Sequence, residues 1–208
     1  MYSDRRDAGR QLGSRLAALR ATDPVVIGLP RGGILVADEV ARALGAPLDV
    51  IVARKVGAPF NAELAIGAVA PGVVHIDESL VEALKIAPEY LARAVEHEQS
   101  EVRRREEIFR SGRRPVELAG RTAILVDDGL ATGSTALAAI QSLRLLSPKA
   151  VILAVPVGAP ETVAHLRPMV DDLICLSTPL YFRAVGQAYT DFGQTSDAEV
   201  TEVLAERR

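Results

Sequence analysis

The sequence lacks most of the features that mark membrane, secreted and nucleic-acid-binding proteins. It has a single cysteine, Cys175, so no disulfide can close within the chain, and a reducing, cytoplasmic setting is expected. Within Ile174-Cys175-Leu176 that thiol reads as a small apolar core residue. No apolar run approaches the roughly 20 residues needed to span a bilayer. The polar opening Met1-Tyr2-Ser3-Asp4-Arg5-Arg6-Asp7 has neither the apolar core nor the cleavage site of a signal peptide. No membrane association is expected. Lysine and arginine (24) do not exceed aspartate and glutamate (27), and the net charge of -3 gives no general pull toward nucleic acid or anionic lipid. His75, His97 and His165 are scattered without metal-ligand spacing and read as structural. There is no internal repeat, low-complexity tract or linker.

What is present is an ordinary globular balance, 49% hydrophobic and 25% charged over 208 residues, which predicts one domain spanning 1–208. Residues 4–20 read as a first helix, with Ser3 as its N-cap and Ala8, Leu12, Leu16 and Leu19 on one face. Val25-Val26-Ile27-Gly28-Leu29 is a continuous apolar run, as expected of a strand buried on both faces of a parallel sheet. Pro30-Arg31-Gly32-Gly33 ends it. Residues 34–44 read as a helix closed by Gly45, and 48–53 as the next strand. Short strands are expected at 65–69 and 73–76. The segment 78–114 interleaves glutamate with arginine, which predicts a solvated helical insertion. After Gly120, strands at 122–126, 150–157 and 173–176 alternate with helices at 133–145 and 160–166. The alternation predicts an α/β fold, a parallel sheet with helices on both faces. Residues 177–208 form a tail or small hood that closes in a helix at 197–206.

The chemistry is concentrated in Ile124-Leu125-Val126-Asp127-Asp128-Gly129-Leu130-Ala131-Thr132-Gly133-Ser134-Thr135. A buried strand ends in two carboxylates, a small turn follows, and a helix begins. Ligands of open α/β sheets bind outside the carboxyl ends of the strands. Turn N–H groups and the hydroxyls of Thr132, Ser134 and Thr135 converge on the positive end of the helix, which makes a phosphate cradle. Two aspartates would repel a bare phosphate. They suit a ribose 5-phosphate, whose 2- and 3-hydroxyls are donors on the side away from the phosphate. No lysine follows Gly133, so this is no Walker A loop, and no G-x-G-x-x-G fingerprint occurs.

The run from Val126 to Thr135 resembles the phosphoribosyl-pyrophosphate signature of the type I phosphoribosyltransferases, and the order of elements fits that family over residues 25–176. The resemblance implies transfer of the 5-phosphoribosyl group from phosphoribosyl pyrophosphate to a nitrogen nucleophile, a nucleobase being expected, with release of pyrophosphate. It implies Mg2+ held through substrate and water rather than by direct protein ligands. Catalytic roles fall on Asp127, Asp128, Arg31 and Lys55. Substrate-binding roles fall on Gly129, Leu130, Ala131, Thr132, Gly133, Ser134 and Thr135 around the 5-phosphate. Gly32 and Gly33 would lie in the pyrophosphate turn, which in this family often contains a strained or cis peptide. Arg54 would stand beside Lys55 at the end of the second strand, and Phe182, next to Tyr181, would stack on the base from the hood. Residues 56–64 become a candidate lid, with Glu63 as an acid or orienting group. Ala131 stands where transferases for 6-oxopurines usually carry an aspartate, and in this the turn resembles the adenine enzymes. A homodimer is implied only by family analogy.

Two other readings stay open at this point. One is a non-catalytic regulatory protein that senses phosphoribosyl pyrophosphate or a nucleotide on the same fold. The other is a phosphotransferase or nucleotide hydrolase using the same cradle.

Overall fold

The computed structural model describes residues 1–207, apart from the side chain of Glu63, so the role expected of that side chain lies outside the described residues. Five parallel strands form the main sheet in the order β2-β1-β6-β7-β8: β2 Leu48–Val50, β1 Pro24–Gly28, β6 Thr122–Val126, β7 Ala150–Val157 and β8 Asp172–Ser177. The unbroken apolar runs are explained by alternation across the pleat. Val26, Ile124, Val126, Ile152 and Ala154 face one core, shared with α1 (Arg5–Arg15), α2 (Gly33–Leu44) and α7 (Asp197–Glu206). Val25, Ile27, Ala123, Leu125, Val151, Leu153 and Val155 face the other, shared with α5 (Ser134–Leu145) and α6 (Pro160–Leu166).

A second, antiparallel sheet of β3 (Arg54–Ala58), β4 (Asn61–Ala70) and β5 (Val73–Ile76) packs between α5 and the long helix α4 (Pro88–Arg110). Four expectations are corrected here. The first helix starts at Arg5, capped by Asp4, whose carboxylate accepts from the Asp7 N–H at 2.7 Å, and it gives way to a 3-10 helix at Ala17–Thr22. The second core strand stops at Val50, and Arg54-Lys55 opens β3 of the small sheet rather than ending β2. The candidate lid at 56–64 is built from the end of β3, the turn and the start of β4, paired as a hairpin. The charged segment holds two helices, α3 (Glu78–Ala83) and α4, separated by left-handed Lys85 (φ 53°), with Pro88 opening α4. Helix α4 is also less solvated than its charges suggest, because Phe109 and Val102 anchor it in the core.

Asp38 of α2 ties three elements together. Its side chain is 1% exposed and meets Arg207 at 2.6 Å, Arg6 at 3.0 Å and Arg42 at 3.3 Å. Burial alone would raise its pKa, but the hydrogen bonds from Arg207 and Arg6 hold it below the ordinary value of 3.8. A depressed carboxylate stabilises the fold above that ordinary value and loses its contribution as pH falls through the lowered one. Asp38→Ala is therefore expected to cost about 2–3 kcal/mol at neutral pH, by stranding partly buried arginines. Urea denaturation of both proteins at pH 7 and pH 3 checks this: the gap should narrow in acid.

Candidate active site

In the sheet order, β1 connects through α2 to β2 on one side, while β6 connects through α5 to β7 on the other. The crevice between the carboxyl ends of β1 and β6 is thus the topological switch point where α/β sheets bind ligands. The two loops leaving it are in direct contact. The Leu29 N–H donates to the Val126 carbonyl at 2.9 Å. A Cβ on Gly32 would overlap Asp128 Oδ2 and lie 2.6 Å from Arg5 Nε, and one on Gly33 would lie 2.8 Å from Asp127 Cα. Glycine is required at both positions because the turn presses against the acidic pair. The Pro30–Arg31 peptide is cis.

The Asp128 N–H donates to Asp127 Oδ1 at 2.8 Å, and Arg5 Nε donates to Asp128 Oδ2 at 2.7 Å. Burial, then the neighbouring Asp128 charge, pushes the Asp127 carboxyl well above the ordinary range. Burial also raises Asp128, opposed by its hydrogen bond from Arg5. One arginine offsets two adjacent carboxylates, so repulsion between them remains.

The cradle is built by the Gly129–Thr135 turn. Gly133 caps α5 in the left-handed region (φ 76°), and a Cβ there would strike Thr162 and Leu166 of the neighbouring helix. The N–H groups of Ala131 and Thr132 take no hydrogen-bond partner among the described residues. Those of the first turn of α5 have none within the helix. Leu130 is different. Its side chain is buried, and its N–H donates to the Val157 carbonyl at 2.9 Å, so it positions the turn without facing a ligand. Thr132 Oγ1 and Ser134 Oγ lie 3.3 Å apart.

Beside the crevice opens a cleft of about 690 Å3 that brings together Pro30, Arg31, Arg54, Lys55 and Thr135. Its far wall is α4, through Tyr90, Arg93, His97, Glu98 and Arg105. Arg54 is engaged by Glu98, whereas Lys55 is exposed and makes no ion pair among the described residues. His97, read from the sequence as structural, is exposed and lines the cleft. Phe182 does not line it: the ring packs on the cluster of Tyr2, Ala8, Val157 and Tyr189, while Tyr181 is 91% exposed.

Two contributions went unseen in the sequence. Arg5 reaches Asp128 across 123 residues and lies over the Phe192 ring at 3.9 Å, with no local pattern to announce it. The α4 wall carried a signal in the recurrence of Tyr90, Ala94, His97, Glu98 and Arg105 on one helical face, masked by the surrounding charge. The Tyr189 hydroxyl, its pKa pushed up by burial, donates to the Asp128 carbonyl at 2.6 Å and completes the support.

An acidic pair and a glycine-bounded turn at the switch point of an open parallel sheet define the class: an α/β protein with its ligand crevice between β1 and β6. The family model for the phosphoribosyl transferase domain matches residues 6–189. A Mycobacterium tuberculosis protein named as a phosphoribosyl transferase is 49% identical over 206 residues, 98% of this chain and 46% of that protein. The chain thus spans about half the length of the curated relatives it matches. The crystal structure of TT1426 from Thermus thermophilus superposes with a TM-score of 0.83 at 44% identity, covering 100% of this chain and 99% of that one. A hypothetical protein from Neisseria gonorrhoeae with bound ppGpp shares the fold at a TM-score of 0.55 and 12% identity, over 100% of this chain and 99% of that one. The chain belongs to the phosphoribosyl transferase family.

The raised Asp127 carboxyl has a consequence for stability. A group whose folded pKa lies above its unfolded one favours folding only at low pH, and opposes it once ionised. Asp127→Asn keeps a carbonyl to accept from the Asp128 N–H and removes the charge. It is expected to raise the thermal midpoint at pH 7, with the gain vanishing toward pH 4. Calorimetric melting across that range checks the direction.

Proposed function

We propose that this chain transfers the 5-phosphoribosyl group of phosphoribosyl pyrophosphate to a nitrogen nucleophile, a nucleobase being the expected acceptor, and releases pyrophosphate. The observation that carries the reading is the contact of Gly32 and Gly33 with Asp127 and Asp128, which joins a glycine turn, an acidic pair and an anion cradle in one crevice. Asp127 and Asp128 accept hydrogen bonds from the ribose 2- and 3-hydroxyls. The free N–H groups of the Gly129–Thr135 turn, with the hydroxyls of Thr132, Ser134 and Thr135, hold the 5-phosphate at the positive end of α5. Arg31 and Lys55 face the pyrophosphate.

Displacement at the anomeric carbon passes through an oxocarbenium-like state. The C1–O bond breaks with its electron pair leaving on pyrophosphate, the C1–N bond forms, and the nitrogen loses its proton. The chain's share is positioning and electrostatic stabilisation. Among the described residues no three acidic, histidine or cysteine side chains gather as a metal cluster. Mg2+, held through substrate oxygens and water as the family resemblance implies, would keep several waters and further neutralise the leaving charge. The β3–β4 hairpin, with Phe60 exposed at its tip, is the candidate lid. Among the described residues no helix is long and apolar enough to cross a membrane.

Incubation with labelled phosphoribosyl pyrophosphate, Mg2+ and a panel of bases tests the activity; absence of pyrophosphate release with every base would favour a sensing role. Asp127→Asn and Asp128→Asn should each weaken binding of the donor by about 1.5–3 kcal/mol, through loss of a charge-assisted hydrogen bond. Titration calorimetry decides, and unchanged affinity in both variants would sink the ribose assignment.

A further inference from the structure

The cleft walled by α4 has an unusual charge balance. Arg31, Arg54, Lys55, Arg93 and Arg105 line the cleft against one carboxylate, Glu98, in a chain of net charge -3. Glu98 is committed to Arg54. Arg93, like Lys55, has no ion-pair partner among the described residues. The Nε of Arg105 is buried without a hydrogen-bond partner. The acids nearest Arg105 are Asp197 and Glu101, each at 3.9 Å, and Asp197 also stands 3.8 Å from Arg31. All three separations exceed hydrogen-bond length. Asp197 thus gathers two arginines at the cleft without using their donors.

We propose that α4 forms the outer wall of the pyrophosphate subsite, with Arg93, His97 and Arg105 binding the phosphoryl oxygens of the leaving group. The inference rests on the phosphoribosyl-transfer reading and deepens it. The cleft is bounded by Pro30 and Arg31 at one end and by Thr135 of the phosphate cradle, while Asp127 and Asp128 do not line it. The ribose held by Asp127 and Asp128 therefore lies to one side, and the anionic part of the donor that faces α4 is the diphosphate. Guanidinium forks match phosphoryl oxygens in pairs, and Arg93 and Arg105 line the cleft with no acid at hydrogen-bond distance. The same helix is tied to strand β3, through Arg54–Glu98 and through Tyr90, whose hydroxyl donates to the Gly57 carbonyl at 2.9 Å. Lys55 is thereby presented to the same anion.

The test is titration calorimetry with Mg2+ present, using inorganic pyrophosphate, phosphoribosyl pyrophosphate and ribose 5-phosphate on the full chain. The variants are Arg93→Gln and His97→Asn, both at exposed positions, with Arg93→Lys as a charge-keeping control. Each neutral variant is expected to bind the two pyrophosphate compounds about tenfold more weakly. Ribose 5-phosphate affinity and the thermal midpoint stay unchanged, and Arg93→Lys recovers part of the loss. Wild-type affinity for pyrophosphate in both neutral variants overturns the proposal. So does equal weakening of all three ligands, which would make α4 a general support. If the wild type binds ribose 5-phosphate but neither pyrophosphate compound, the α4 assignment fails and the ribose cradle stands. If it binds none of the three, the phosphoribosyl reading fails and takes this inference with it.

Discussion

The ion pair between Arg5 and Asp128 joins the first helix to the end of the central strand, and much of the site is arranged around it. Asp127 and Asp128 leave β6 as adjacent acids with a single arginine to offset them. Arg5 is itself held, by the Gly193 carbonyl at 2.7 Å and by the Phe192 ring. Phe192 stacks on Tyr189, whose hydroxyl returns to the Asp128 carbonyl. The N-terminal helix and the chain after β8 therefore converge on Asp128. Repulsion between the acids makes that support necessary, and the tight glycine turn leaves no room for a bulkier neighbour at Gly32 or Gly33.

The same arrangement sets stability against function. A carboxyl held above its ordinary pKa opposes folding at neutral pH, and such a cost persists only where the surrounding structure over-determines the geometry. Here the over-determination is visible. The central strands are buried on both faces, and Asp38 ties α2 to the arginines of α1 and α7 on the far side of the first core. The rigid sheet fixes the backbone of the acidic pair, so ligand hydroxyls meet acceptors that are already oriented.

Much of the sheet was legible in the sequence because each core strand is short, continuous and bounded by turn residues. The strand at Ala150–Val157 and the helices at Pro160–Leu166 and Asp197–Glu206 agree with their sequence boundaries. The phosphate turn was legible because its chemistry is local: strand, acids, small residues, hydroxyls and helix follow in order. What failed to show was non-local or two-sided. The apolar run through Val52 hides a change of sheet, since Val50 pairs with β1 while Arg54 pairs with Val69 in the small sheet. Phe182 looked like a base-stacking residue because aromatics are scarce, yet it packs beside Tyr2 and Tyr189, which are distant in sequence. Arg5 has no signal at all, since nothing near it predicts a partner 123 residues away.

Net charge conceals the same kind of non-local pairing. A value of -3 speaks against broad attraction to polyanions, but it averages over surfaces of opposite sign. On the side of α1, α2 and α7, Asp7, Asp38, Glu39 and Glu206 each face an arginine within 4 Å. Those pairs cancel locally and leave little field beyond a Debye length. Across the cleft, Lys55 and Arg93 are not cancelled, and the walls around them raise their effect on an entering anion. The interleaved glutamates of α4 divide in the same manner. Glu98 neutralises Arg54 and Glu101 neutralises Arg104, which frees the cleft-facing arginines from acids of their own helix at hydrogen-bond distance. A helix that looks balanced along its sequence thus presents an unbalanced face, because three-dimensional pairing decides which charges remain to act.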